Sequence, residues 1–312
     1  PRLNCRRQRQ MCIRDRAKKD KDPHLSQAIK ILMNSFYGVM GTPGCRFHDH
    51  RLPAAITGTG QWVLKLTRKH FEQHGYEVLY GDTDSVFVQL KRGERLDVEK
   101  AAGQLLQRIN TFIADTIKTV FGQESHLELE FERHFVKLFI PALRGGGEGA
   151  KKRYVGLVAE AENEELVFTG LEFVRSDWTR LARNFQHDLF DRIFHDREVV
   201  DWIRGMVSDL RRQVYDDDLT YQIRLRKAPA EYTKVVPPHV KAARLLGPGA
   251  EGLREIRYVM TQRGPIPQAL PHDDLDYTHY IERQLKPIAD AVLQFLDLRF
   301  NDIVGGKQLE LF

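Results

Sequence analysis

Two carboxylates one residue apart offer this chain its sharpest chemistry. Asp82 and Asp84 lie in the run Tyr80-Gly81-Asp82-Thr83-Asp84-Ser85. Strand-forming residues flank it, with Val78 and Leu79 before and Val86, Phe87 and Val88 after. The pattern predicts a hairpin over residues 76–90 with both carboxylates at its tip. Paired carboxylates at a tight turn suit a divalent cation held for phosphoryl chemistry. A fixed hexamer arises by chance in a chain of this length with a probability on the order of 10⁻⁵. Asp-Thr-Asp alone is weaker. Asp hydrogen-bonds local backbone and tolerates turn dihedrals, so a plain surface turn competes for those three residues.

Some 45 residues upstream stands Lys30-Ile31-Leu32-Met33-Asn34-Ser35-Phe36-Tyr37-Gly38. Pro23 and Ser26 open the segment, and apolar residues recur at helical spacing. Lys30, Asn34 and Tyr37 are four and three residues apart, so one helix face carries a cation, an amide and a ring. The cation attracts a triphosphate and the ring can pack on a base pair. A solvated Lys with a core Tyr is the competing reading. Further on, Lys151-Lys152-Arg153-Tyr154 follows a loop containing Gly145, Gly146, Gly147 and Gly149. Three adjacent cations favour phosphate oxygens, although a lone basic triplet also suits a solvated loop.

In this order and spacing the three motifs resemble those of family B DNA polymerases. Thr169-Gly170-Leu171-Glu172, Ser176-Asp177-Trp178, Tyr221-Gln222-Ile223-Arg224-Leu225-Arg226, Val236-Pro237-Pro238-His239-Val240 and Gln308-Leu309-Glu310-Leu311-Phe312 look like the bacterial polymerase II branch. The resemblance runs from about Ala17 to the last residue. It implies template-directed DNA synthesis by two-metal nucleotidyl transfer. The substrates would be primer–template DNA and deoxynucleoside triphosphates, with two Mg²⁺ ions. Asp84 is the implied metal ligand and Asp82 its neighbour, with Glu132 as a candidate third carboxylate. Lys30 would neutralise the triphosphate, and Asn34, Tyr37 and Gly38 would line the base-pair pocket. Lys151, Lys152, Arg153 and Tyr154 would grip the primer, with Arg224, Arg226, Lys234 and His239 as further DNA contacts. The final Gln308, Leu309, Leu311 and Phe312 resemble a peptide that binds the bacterial sliding clamp. Apolar side chains on a flexible tail also suggest a partner pocket, against the alternative of a tail tucked onto the thumb.

The chain departs from the family in lacking the upstream Asp-x-x-Ser-Leu-Tyr-Pro motif and the exonuclease carboxylates. The expectation is therefore the carboxyl-terminal part of a longer polymerase, which binds primer–template without extending it. A non-enzymatic primer–template and clamp-binding fragment is the alternative. An RNA-directed polymerase also carries paired palm Asp residues, but the fingers and Lys-Lys-Arg-Tyr motifs argue against it.

Charge alone says little about partners. The chain has 48 basic and 43 acidic residues, a net +5. Residues 1–16, read as a foreign or disordered leader, hold six Arg and one Asp, so the remainder is neutral. A local patch at 221–244 holds Arg224, Arg226, Lys227, Lys234, Lys241 and Arg244 against Glu231, which suits a loop tracking a duplex backbone. Three scattered Cys form no disulfide framework or zinc spacing. No apolar run approaches the ~20 residues of a membrane span. A cytoplasmic, nucleoid-associated protein is expected.

To place these residues, the sequence predicts an α+β chain. It comprises a fingers helix, an antiparallel palm sheet with flanking helices, and a mostly helical thumb. The expected domains are fingers at 17–53, palm at 54–170, thumb at 171–304 and a tail at 305–312. Helices are expected near 54–74 and 97–120, and strands near 127–140, 153–160 and 165–169. Trp178, Leu181, Phe185, Leu189 and Ile193 mark an amphipathic helix. Another is expected over 274–303, with Ile281, Leu285, Ile288, Val292 and Phe295 inward and a kink at Pro287.

Overall fold

The computed structural model describes residues 13, 16–17, 20, 22–141, 152–160, 163–250 and 252–305. It forms two compact units that divide between Phe131 and Glu132, inside the segment expected as one palm. The expected mixture of helices and antiparallel sheets is present.

In the first unit, helix α1 spans Pro23–Gly41. Asp22 caps it by accepting the Leu25 N–H at 2.9 Å, and Pro23 fills the first turn, where a missing N–H costs nothing. Helix α2 spans Arg51–Gln73. Strands β1 (Glu77–Asp82) and β2 (Ser85–Gln89) form the expected hairpin. Helix α3, Val98–Phe121, starts at an Asp97 cap and stops at left-handed Gly122. The core is Val63 and Phe71 of α2, Ile109 and Ile113 of α3, and Tyr76. Alternate hairpin residues Val78, Val86 and Val88 pack against it, as pleating requires.

The strand expected over 127–140 is confined to three residues. Asn110 explains part of the difference. Its amide nitrogen donates to the Leu129 carbonyl at 3.0 Å, and its amide oxygen accepts the Leu129 N–H at 2.8 Å. One side chain thus takes both backbone groups that a neighbouring strand would pair.

In the second unit, β3 (Lys137–Phe139), β4 (Tyr154–Glu160) and β5 (Asn163–Thr169) form an antiparallel sheet in that order. Helix α4 (Arg180–Phe194) presents Phe190 and Phe194 to Val155, Leu157 and Phe168 of this sheet. Its other buried residues, Leu181, Phe185 and Leu189, join helix α5 (Val200–Arg211) in the larger core.

The remaining segment is less uniformly helical than expected. Strand β6 (Tyr221–Arg224), helix α6 (Pro238–Arg244), and strands β7 (Glu255–Thr261) and β8 (Gly264–Pro267) give a second three-stranded sheet. Part of the expected basic loop is therefore strand. Its partner lies some thirty residues away, and Tyr221 stacks on Tyr258 at 5.0 Å across the pair. The expected long helix over 274–303 is interrupted. Helix α7 (Tyr277–Tyr280) runs into a π turn at Ile281–Leu285, then helix α8 (Lys286–Leu293), and helix α9 (Phe300–Val304) follows separately. Pro287 sits at the start of α8, directly after the π turn, where a wider turn accommodates its ring and missing N–H. Ile281, Leu285, Ile288 and Val292 are buried as expected, but Phe295 is 55% exposed.

Candidate functional site

The hairpin tip is built by a two-residue loop. Asp82 pairs with Ser85, so Thr83 and Asp84 alone turn the chain. The Asp84 N–H donates to the Asp82 carbonyl at 2.6 Å, closing a three-residue turn about Thr83. Thr83 has φ 57°, a left-handed conformation unfavourable for a β-branched residue. Its hydroxyl donates to Asp82 Oδ1 at 3.1 Å. Ser85 Oγ donates to the Asp82 carbonyl at 3.4 Å. The loop thus draws the two carboxylate residues together, Asp84 exposed and Asp82 half-buried.

Carboxylate oxygens suit a hard cation such as Mg²⁺, so this donor set fits in kind. It is incomplete in number. Among the described residues, no group of three or more His, Cys, Asp or Glu side chains could hold a metal ion. Glu132, expected on a strand, lies on irregular chain at the start of the second unit.

Lys30, Asn34, Tyr37 and Gly38 all fall on α1. Lys30 is exposed and Tyr37 is 42% exposed, so Tyr37 is not the core residue of the alternative reading. The Asn34 side chain lies outside the described set. A Cβ on Gly38 would meet nothing within 4 Å. Both α1 and the hairpin pack on α2, which is their common support.

The second unit holds the basic segments. Lys151 lies outside the described residues, as do the Gly145–Gly149 loop, Gln308, Leu309, Leu311 and Phe312, and most of residues 1–16. Lys152 is exposed and Tyr154 opens β4. The Arg153 guanidinium is ion-paired to Glu172, with the Arg153 side chain 41% exposed and that of Glu172 13% exposed.

Arg224, Arg226, Lys234 and Lys241 are exposed and make no side-chain hydrogen bond or ion pair with the described residues. Two other cations of the patch are occupied. Arg244 donates to the carbonyls of Pro229 and Tyr232, at 3.0 and 2.7 Å. Lys227 donates to the Glu231 carbonyl and lies over the Tyr232 ring. His239 is half-buried, and burial lowers its pKa, so it leans toward the neutral form.

Two clefts of about 580 and 710 Å³ share Arg224 and Glu255. Arg180, Arg183 and Arg257 line the first, and Arg226, Lys227 and Arg254 the second. Asp177 and Asp218, in the first cleft, are already paired with Arg175 and Arg180. The Arg175 hydrogen bond lowers the Asp177 pKa. The Arg183 Nε is buried without a hydrogen-bond partner among the described residues. Sequence reasoning missed Arg254 and Arg257. The available signal for Arg257 was the alternation in Glu255-Ile256-Arg257-Tyr258, but only the β6–β7 register, with Gln222 opposite Arg257 and Arg224 opposite Glu255, puts it on the face that lines the first cleft.

Comparison with known proteins places this arrangement among relatives. The sequence profile of DNA polymerase family B matches residues 4–262. The chain is 42% identical over 309 residues to DNA polymerase II of Escherichia coli (strain K12), covering 96% of this chain and 39% of the relative. It is 30% identical over 294 residues to DNA polymerase 2 of Aeropyrum pernix, covering 90% of this chain and 33% of the relative. The solved family B DNA polymerase of Pyrobaculum calidifontis shares the fold at TM-score 0.59 and 24% identity, over 94% of this chain and 37% of that one. The chain thus spans about two fifths or less of these relatives.

Proposed function

Since the chain belongs to DNA polymerase family B, we propose that it contributes the fingers helix, part of the palm and the thumb to a template-directed DNA polymerase. The observation that carries this reading is the two-residue loop that draws Asp82 and Asp84 together at the hairpin tip. Asp84, exposed, would be the principal metal ligand, and Asp82 would support it. Bound Mg²⁺ would supply Lewis acidity for nucleotidyl transfer. Because two carboxylates are too few for such a pair of ions, the set is completed by a carboxylate outside these 312 residues. The relatives' greater length supports that reading.

On this reading α1 faces the incoming nucleotide. Lys30 neutralises triphosphate charge, and Asn34, Tyr37 and Gly38 border the nascent base pair. Lys152 and Tyr154 hold the primer strand. Arg224, Arg226 and Lys234 follow the duplex backbone, joined by Arg254 and Arg257 around the clefts. The cations left without acidic partners make a positive surface suited to phosphates rather than to base edges. His239 would be a further DNA contact, with burial favouring its neutral form. Residues 308–312 bind a sliding clamp, and a bacterial role in replication and repair is the finer assignment.

The test uses the purified chain with fluorescent primer–template. Salt-sensitive binding without extension in Mg²⁺ and nucleotides is expected. Robust extension would overturn the shared-carboxylate reading, and absence of DNA binding would overturn the thumb assignment.

A further inference from the structure

We propose that Glu172 and Gln186 are positioning residues that lock the Lys152-Arg153-Tyr154 segment in its gripping form and tie it to helix α4. The inference rests on the reading of this segment as a DNA contact.

Arg153 is held by a network of side chains. Its Nη2 donates to Glu172 Oε1. Its Nε is buried and has no hydrogen-bond partner among the described residues. The second Glu172 oxygen accepts from Gln186 Nε2 at 2.8 Å. Gln186 lies on α4 and is 2% exposed. Its own oxygen accepts the Phe173 N–H at 2.6 Å. A continuous relay therefore runs from the start of β4 through a largely buried carboxylate to the middle of α4, with both carboxylate oxygens used. A largely buried carboxylate is tolerated only when its remaining lone pairs are satisfied, which is what Gln186 provides.

The relay holds an unfavourable backbone. Lys152 has φ 58°, a left-handed conformation uncommon for lysine. Its carbonyl is wedged against Gly170, also left-handed, where a Cβ would fall 1.9 Å from the Lys152 oxygen. Tyr154 pairs with Thr169, and its ring meets Phe135 edge-on at 6.1 Å. Phe135 in turn fills the place a Gly156 side chain would need. Thr169, Gly170 and Glu172 thus form a seat for the basic segment. Arg153, half-buried and paired to Glu172, is the anchor, so that Lys152 on one side and Tyr154 on the other are held in fixed geometry. Because Gln186 belongs to α4, a shift of that helix moves the seat with it.

The sign of one substitution separates this role from simple electrostatics. Glu172→Gln removes a negative charge from a DNA-binding unit, which by charge alone tightens binding. A positioning role predicts weaker primer–template binding by roughly tenfold, the scale of a hydrogen-bonded charge left without its partner. Gln186→Met changes no charge and is expected to weaken binding several-fold. Arg153→Gln should weaken binding without lowering the salt slope. The double variant Arg153→Gln with Glu172→Gln removes the stranded cation and should bind closer to wild type than Glu172→Gln alone.

Fluorescence anisotropy across a salt series reads all of these, with circular dichroism confirming the fold. If Glu172→Gln is too unstable to assay, Gln186→Met carries the test. Equal or tighter binding by the soluble Glu172→Gln or Gln186→Met variant would overturn the proposal. So would a salt slope reduced by about one in Arg153→Gln, which would make Arg153 a phosphate contact. Lys152→Gln separates the premise from the inference. It should lower affinity and the slope. Weakening by Lys152→Gln without weakening by Glu172→Gln overturns the positioning role alone. No change in any variant overturns the grip itself.

Discussion

Gly170→Ala probes the seat beneath the basic segment through its backbone. Gly170 has φ +60°, and an added Cβ would lie 1.9 Å from the Lys152 carbonyl oxygen and 3.1 Å from its carbon. The obstacle is main chain just before the start of β4, so no side-chain rotation relieves it. The left-handed conformation costs an L-residue about 1–2 kcal/mol. Forcing the two segments apart adds about 1–3 kcal/mol. The combined loss of about 2–5 kcal/mol corresponds to a fall of about 4–20 °C in the transition of a unit of this size. Differential scanning calorimetry is the appropriate assay, because two units need not unfold as one. Gly38→Ala is the internal counterpart. It lies inside α1, and its Cβ would meet nothing within 4 Å. Alanine there should stabilise the first unit by about 0.5–1 kcal/mol. A Gly170→Ala transition within about 1 °C of wild type would refute the steric reasoning. So would Gly38→Ala proving the more harmful substitution.

Three further outcomes are expected. Neutralising both Arg224 and Lys234 should weaken primer–template binding and lower the salt slope by about two, one for each phosphate contact, and an unchanged slope in anisotropy titrations would count against the thumb surface. Thr67 is 2% exposed and its hydroxyl has no hydrogen-bond partner, so Thr67→Val should raise first-unit stability by about 1 kcal/mol in urea unfolding; destabilisation beyond that amount would argue against an orphan hydroxyl. His195 Nε2 lies 2.6 Å from Glu164, and that hydrogen bond, with the Asp191 carbonyl, raises the imidazole pKa. Its stabilisation is complete below the unfolded value of about 6.5 and is lost as pH rises through the folded value. The second unit should therefore lose more stability between about pH 6 and pH 9 in wild type than in Glu164→Gln, and parallel curves would refute the linkage.

Local chemistry made much of the first unit legible. The hairpin at Glu77–Gln89 and the helices at Arg51–Gln73 and Val98–Phe121 fall within a few residues of expectation. Alternating apolar residues, Asp and Pro caps and glycine stops are read within a single element. Long-range partners are not. Asn110 replaces a strand for Leu129, and β6 needs β7 across some thirty residues. The proline at 287 was visible, but its relief by a π turn depends on packing along the whole segment.

The candidate site divides in the same way. Sequence by itself determined the family motifs, the paired Asp82 and Asp84 at a turn, and the cation-rich stretches, because each is a matter of residue type and short spacing. Only the tertiary structure decided which charges remain available. Arg153 and Glu172 are nineteen residues apart, and Gln186 is fourteen beyond Glu172, yet together they form one hydrogen-bonded relay. Arg244 is spent on two backbone carbonyls, while Arg254 and Arg257 join the clefts. The physical reason is that a charge takes its role from its partner and its burial, and both are set by chain segments that meet only on folding.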